Sequence, residues 1–169
     1  MPDWTSRVTK DRADDLAPGE QVRAATYFQG RGSAMGQITF GVASGIVGGA
    51  FGNRTGLDAR NKIIERSRAG FHTPEGSIAA GIPDDKGVLA VTTDRLIVFG
   101  YKQGVFSTKI LDPVVDIAIE RLVGWSYTSG KVASVLNLAF DDDSDVGVEL
   151  PMANRPDRFA EALEIPTAE

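Results

Sequence analysis

Cysteine is absent from the 169 residues of the chain, and histidine occurs once, at His72. The absence of cysteine excludes disulfide frameworks, zinc sites built on thiolates and thiol nucleophiles. His72 stands beside neither a nucleophile nor a set of metal ligands, and no GxSxG segment that could form a nucleophile elbow occurs. We therefore expect no catalytic residue, no metal and no cofactor, and we expect that the protein is not an enzyme.

An excess of basic residues is also lacking, since 18 Lys and Arg stand against 23 Asp and Glu. Proteins dedicated to nucleic acids need a strongly basic surface to displace counterions from the phosphates. The chain begins MPDWTSRVTKDRADDL, which is charged from position 3 and has no apolar core of the kind found in signal peptides. The sequence thus indicates a cytoplasmic protein with no nucleic-acid partner.

Acidic residues cluster in DDDSD, at residues 141–145. The spacing of these acids imitates the start of an EF-hand loop, but Val146 takes the place of the required glycine and Met152 that of the final glutamate. We interpret this run as a solvated hairpin turn and predict no calcium site.

Composition divides the chain into a polar N-terminal segment, a single domain and a tail, at residues 1–17, 18–164 and 165–169. The domain opens with a strand in residues 18–29, where QVRAATYFQ alternates apolar and polar side chains. Residues 30–85 are predicted to form a glycine-rich and helical insertion. Residues 86–164 are predicted to hold short strands separated by turns, followed by a C-terminal helix.

Within that last part, a hairpin is predicted at residues 88–92 and 95–101. The pair Asp112-Pro113 is predicted to separate strand 105–110 from strand 114–119. The C-terminal helix is expected at 154–163, with Asn154 as its N-cap. The pattern predicts a mainly β fold with α (α+β), an antiparallel barrel or sandwich of about seven strands capped by that helix.

The segment GQITFGVASGIVGGAFG, residues 36–52, carries no charge and is rich in glycine. Glycines four residues apart would line one side of a helix and let another backbone approach closely. Because each glycine opposes a helix by about 1 kcal/mol relative to alanine, such a helix needs an external contact. The candidates for self-association or membrane contact are Gly41, Gly45, Gly49, Ile38, Val42, Ile46 and Phe51.

Several alternatives stay open for this glycine-rich segment: a helix packed on its own domain, a contact with a second copy, a helix lying in the membrane interface, or a loop. A single membrane span is not expected, because residues 21–29 and 86–92 should lie in one sheet and a span would separate them. A phosphate-binding loop is not expected either, because its motif is absent.

A basic cluster follows the glycine-rich segment. Two acids, Asp58 and Glu65, offset it only in part, and it would suit an anionic membrane surface. The more common structural interpretation is a solvated helix face. The candidates for contact with an anionic surface are Arg54, Arg60, Lys62, Arg66 and Arg68.

Three stretches resemble bacterial pleckstrin-homology-like domains, including the GRAM and YokE-like groups. GVLAVTTDRLIVFGYK resembles their hairpin, LAPGEQVRAATYF their first strand and NRPDRFAEAL their closing helix. The resemblance implies seven strands in two near-orthogonal sheets with a C-terminal helix, and binding of lipid headgroups, peptides or proteins rather than catalysis. By analogy with the family, Lys102 and Lys109 would line the ligand end. The long connection after the first strand departs from the family pattern.

These observations predict a non-enzymatic binding or scaffolding module whose glycine-rich insertion mediates self-association or peripheral membrane docking. The expected partner is another protein or a second copy of the chain, with an anionic membrane surface as a further partner. Two alternatives remain: a small-molecule-binding protein or hydrolase that uses the barrel mouth, and a structural component of a larger assembly.

Overall fold

The computed structural model describes residues 2–30, 46–50, 73–130 and 133–163, and for 46–50 it describes the backbone. The strands in these ranges are β1 (Val22–Gly30), β2 (Ile46–Ala50), β3 (Lys86–Thr92), β4 (Arg95–Gln103), β5 (Thr108–Ala118), β6 (Leu122–Thr128), β7 (Ala133–Phe140) and β8 (Asp145–Pro151). The helices in the same ranges are α1 (Trp4–Asp11), α2 (Ile78–Gly81) and α3 (Pro156–Leu163), with 3-10 turns at Ala13–Asp15, Ile119–Arg121 and Met152–Asn154.

The described strands form one antiparallel sheet in the order β2-β6-β7-β8-β1-β3-β4-β5. The predicted class, mainly β with a C-terminal helix, is confirmed. The sheet is not closed into a barrel, because its order ends at β2 on one side and at β5 on the other. β5 suits an edge position, since it contains Pro113, which lacks the N–H needed to pair with a further strand.

The two halves of the sheet share one apolar core. Phe28 and Leu96 come from one half, Trp125 and Leu138 from the other, and Phe159 of α3 packs with both. All five side chains are buried almost completely. Because successive side chains of a strand point to opposite faces, every second residue of these strands faces this core. The C-terminal helix therefore covers the core, as the sequence predicts.

A second apolar cluster lies on the opposite face of β1, β3 and β4, where α1 covers it. Trp4 and Val8 of α1 are buried, four residues apart on one side of the helix. Asp3 caps this helix, because its carboxylate accepts a hydrogen bond from the Ser6 N–H at 3.1 Å. The polar N-terminal segment is thus a docked helix that gives the sheet a second layer.

The predicted break at Asp112-Pro113 is wrong, because β5 runs without interruption from Thr108 to Ala118. Proline is tolerated there, since β5 lies at the edge of the sheet. The register between β4 and β5 shifts on both sides of Phe99, which is paired with Pro113, and these irregularities accommodate the proline in the ladder.

The predicted helix in the glycine-rich segment is wrong for residues 46–50, which form β2. β2 pairs with the edge of β6, with Ile46 opposite Thr128 and Gly49 opposite Trp125. A strand is favoured because glycine weakens a helix, whereas β6 offers a complete row of backbone partners. The other candidates, Ile38, Gly41, Val42, Gly45, Phe51, Arg54, Arg60, Lys62, Arg66 and Arg68, lie outside the described residues.

The two ends of the insertion meet at one point of the sheet. β1 and β3 pair antiparallel from Val22 opposite Thr92 to Gln29 opposite Lys86. Beyond that pair, the Gly30 N–H donates a hydrogen bond to the Asp85 carbonyl at 2.6 Å. The prediction that the strands on either side of the insertion share one sheet is confirmed.

Candidate functional site

The candidate site is the turn of the β4–β5 hairpin, residues 104–107, which we call the hairpin tip. The Gly104 N–H closes the turn by donating to the Ser107 carbonyl at 2.7 Å. Both side chains between them are apolar and lie in solvent, with Val105 91% and Phe106 100% exposed. Exposure of a whole phenylalanine is unfavourable in water, so these two residues suggest a contact surface.

Two lysines flank the hairpin tip. Lys102 at the end of β4 is paired in register with Lys109 near the start of β5. Both are exposed, and neither forms an ion pair with any described residue. The hairpin tip therefore combines two exposed apolar side chains with two positive charges at its base that no described residue pairs with.

The base of the hairpin is fixed by α1. Arg7 donates from its guanidinium to the Thr108 hydroxyl and to the Thr108 carbonyl, both at 2.7 Å. On the same face, the Tyr101 ring lies 4.8 Å from that of Tyr27 and 5.9 Å from that of Trp4, and this burial raises the pKa of the Tyr101 hydroxyl. The tip thus projects from a packed support.

Sequence reasoning found only part of this site. Lys102 and Lys109 lie opposite each other on β4 and β5, and their role in ligand binding stays a prediction. Val105 and Phe106 were expected in a strand, because both have high β-propensity. The signal that favoured a turn was the pair of small residues around them, Gly104 and Ser107.

The glycine candidates are not part of the hairpin tip. Ile46 and Gly49 lie in β2, at the end of the described sheet opposite to β5. The structure therefore does not join the glycine-rich segment and the two lysines into one site through these strands.

The most strongly perturbed acid in the described chain has a structural role. The Glu20 side chain is fully buried and accepts hydrogen bonds from Arg95 Nε at 2.8 Å and from the Thr92 hydroxyl at 2.6 Å. These contacts, chiefly the one with Arg95, lower the pKa of Glu20 to about 2. Arg95 also pairs with Asp116 and donates to the Asp15 carbonyl. The group ties the segment before β1 to the β3–β4 turn, and the Glu20 carboxylate within it is enclosed.

The acidic run between β7 and β8 is a turn, as expected, and it supports a neighbouring helix. The Asp142 carboxylate accepts a hydrogen bond from the Ile78 N–H at 2.8 Å, and the Ser144 hydroxyl accepts one from the Ala79 N–H at 3.1 Å. Donors at the start of α2 are thereby satisfied. Within the described ranges, no group of three or more His, Cys, Asp or Glu side chains is placed to hold a metal.

Comparison of the chain with models of protein families, with curated proteins and with solved structures found no match. Among the helices that the structure describes, none has the length and apolar character needed to cross a membrane.

Proposed function

We propose that the chain is a non-enzymatic docking module, of the pleckstrin-homology-like kind, that binds an anionic membrane surface through the hairpin tip. The observation that carries this proposal is the nearly complete exposure of Val105 and Phe106 between two lysines that form no ion pair with the described residues. The mainly β architecture with a C-terminal helix is compatible with that family and supports the proposal.

The small size of the exposed apolar surface favours a membrane over a protein partner. A stable protein interface buries about 800 Å² on each partner, much more than two side chains provide. A bilayer needs less, because apolar side chains can enter its headgroup region while long cationic side chains keep their charge at the surface. The arrangement at the hairpin tip matches that requirement.

The expected affinity is modest. Burial of Val105 or Phe106 contributes at most about 1.5–3 kcal/mol each, and a lysine near an anionic surface adds about 1 kcal/mol. Stable attachment generally takes a second signal. The glycine-rich segment and the basic cluster at residues 54–68 stay the predicted second contact, and self-association through residues 36–52 likewise stays a prediction.

Co-sedimentation with vesicles tests the apolar part of the proposal. The protein is mixed with vesicles of phosphatidylcholine alone or with added phosphatidylserine. We expect salt-sensitive binding to the anionic vesicles, and we expect the double variant Val105→Ser, Phe106→Ser to lose at least about tenfold in affinity. Val114→Ser is the matched control, because it removes an apolar side chain that is 55% exposed on β5 but lies away from the tip.

The charge part has its own variants. Lys102→Gln with Lys109→Gln should weaken binding to anionic vesicles and reduce its salt dependence. Lys10→Gln, which removes an exposed lysine from α1, should leave binding unchanged. If the protein does not bind anionic vesicles, or if the tip variants bind as well as the control variants, the proposal is wrong.

A further inference from the structure

The course of β1 leaves an opening in the sheet. β1 pairs with β3 along most of its length but with β8 only at Gln29 and Gly30. Beside the upstream part of β1 lies a cavity of about 430 Å³, lined also by the start of α1 and by the turn that leads into α3. We call it the arginine cavity. It arises from the separation of β1 and β8 and is therefore built into the fold.

The walls of the arginine cavity are apolar and in part aromatic. Ala24 and Ala25 of β1 line the cavity and have small side chains, which leaves room for a ligand. Trp4 and Phe159 line the cavity as well, and they are buried in the two apolar clusters on opposite faces of the sheet. Rigid aromatic walls of this kind suit the apolar part of a small molecule.

Two exposed arginines line the same cavity. Arg155 and Arg158 form no ion pair and no side-chain hydrogen bond with the described residues, whereas Arg95 and Arg121 pair with carboxylates. The acid at the cavity, Asp3, uses one oxygen to accept from the Ser6 N–H at 3.1 Å and the other to accept from the Ser6 hydroxyl at 2.7 Å. Arg158 helps to lower the pKa of Asp3, so this carboxylate offsets part of the charge. Two guanidinium groups against one carboxylate leave one positive charge in excess for a ligand.

The backbone of Arg155 supports this assignment. Its φ of 50° and ψ of 61° place it in the left-handed region, which costs a residue with a side chain about 1–2 kcal/mol. Glycine or asparagine would tolerate this turn better. A strained arginine at the edge of a cavity is the kind of departure that accompanies a binding role.

The geometry points to a binding site for a small organic phosphate, a monoester whose phosphate pairs with Arg155 and Arg158 and whose apolar group lies against Trp4 and Phe159. A phosphate ester carries close to two negative charges and three acceptor oxygens, which two guanidinium groups match. The volume falls within the range of about 300–1,000 Å³ that is usual for ligand pockets. No residue that lines the cavity belongs to the hairpin tip, so the two sites are distinct.

Titration with phenyl phosphate, followed by nitrogen-15 NMR, tests the site. We expect saturable shifts of the Trp4 indole signal and of the Ala24 and Ala153 amides, while the Trp125 indole in the core stays in place. Trp4→Phe assigns the two indole signals. Phenol and inorganic phosphate should each bind more weakly than phenyl phosphate, because phenol lacks the phosphate and inorganic phosphate lacks the apolar group. Absence of a saturable shift at the cavity residues would overturn the inference.

Charge variants complete the test. Arg155→Gln with Arg158→Gln should weaken phenyl phosphate binding at least about tenfold. Arg23→Gln is the matched control, since Arg23 lies on β1, forms no ion pair within the described part of the chain and does not line the cavity. Arg155→Gly also removes the charge while it relieves the left-handed backbone, so it serves if the double variant does not fold.

Undiminished binding by the charge variants, or an equal loss in the control, contradicts the inference. The same variants should bind anionic vesicles as the unaltered protein does. If they lose vesicle binding together with phenyl phosphate binding, the cavity is part of a membrane contact and the assignment of a separate site is wrong. Failure of the hairpin tip variants alone leaves the cavity result unaffected.

Discussion

Lys102 and Lys109 are register partners on neighbouring strands, and the chain between them carries the exposed pair Val105 and Phe106. Two like charges directly opposite each other on a sheet destabilise the pair of strands. An anionic surface would relieve that repulsion, so the hairpin itself gains from docking.

Phe106→Trp should report entry of the hairpin tip into the bilayer. Position 106 is fully exposed, whereas Trp4 and Trp125 are buried, so the new indole would be the one in contact with water. Its fluorescence should shift to shorter wavelength when vesicles containing phosphatidylserine are added, because the ring leaves water. Val114→Trp should show no shift. Vesicle binding without a shift in the first variant would contradict insertion of the tip.

Acid should destabilise the protein through Glu20. The pKa of Glu20 falls from 4.5 to about 2 in the fold, so its stabilising effect is complete above pH 4.5 and is lost as the pH falls towards 2. The shift corresponds to about 3 kcal/mol of unfolding free energy. Urea denaturation at a series of pH values measures it.

Glu20→Gln should remove most of that pH dependence and lower stability above pH 4.5 by about 3 kcal/mol, because Arg95 loses its buried partner. Asp112→Asn is the control. The Asp112 side chain is 93% exposed where it pairs with Arg12, and its loss should cost less than about 1 kcal/mol. Equal effects of the two substitutions would refute the structural role of Glu20.

Gly30→Ala should destabilise the fold by at least about 2 kcal/mol, because the new methyl group would overlap the backbone of Asp84. The Gly30 N–H donates a hydrogen bond to the Asp85 carbonyl. The end of β1 therefore cannot move away from Asp84 and Asp85 without loss of that hydrogen bond. Gly81→Ala is the matched control, since its methyl group would meet only the Val115 side chain, at 3.3 Å. Thermal denaturation of both variants measures the difference, and an equal loss of stability in Gly30→Ala and Gly81→Ala would contradict the overlap at Asp84.

Trp4→Ala should cost about 3 kcal/mol and Trp4→Phe less than half of that. The Trp4 ring packs against Tyr27 and Tyr101 and lies under the Arg7 guanidinium, at 4.9 Å. The Trp4 indole N–H is buried and finds no acceptor among the described residues. Substitution by phenylalanine removes this unsatisfied donor, which offsets part of the packing energy that is lost. A larger loss for phenylalanine than for alanine would show that this account is wrong.

Local patterns in the sequence account for much of the sheet. The alternation in β1 and the short apolar runs in β3 and β4 predict that these segments are strands. Asn154 and Pro156 similarly mark the start of the C-terminal helix to within two residues. These features follow from contacts close in sequence, which a periodic pattern records.

Features that depend on tertiary position were missed. Pro113 predicts a break unless its strand is known to lie at an edge. The spacing of the glycines predicts a helix, and the strand at Gly48 and Gly49 depends on β6 as its partner. Exposure of Phe106 and the gathering of Arg155 and Arg158 around a cavity leave no periodic signal at all. Long-range contacts decide such features, and a single sequence does not display them.

The sharing of β1 between two neighbours sets an order for the folding reaction. Hairpins such as β3–β4 and β7–β8 join strands close in sequence and can form early. β1 must await β3, across the whole insertion, and then Glu149 of β8, which is opposite Gln29. Such distant pairings slow folding. During synthesis, β1 would leave the ribosome long before its second partner exists, so α1, docked on its Ala25 face, would act as its first protection against aggregation.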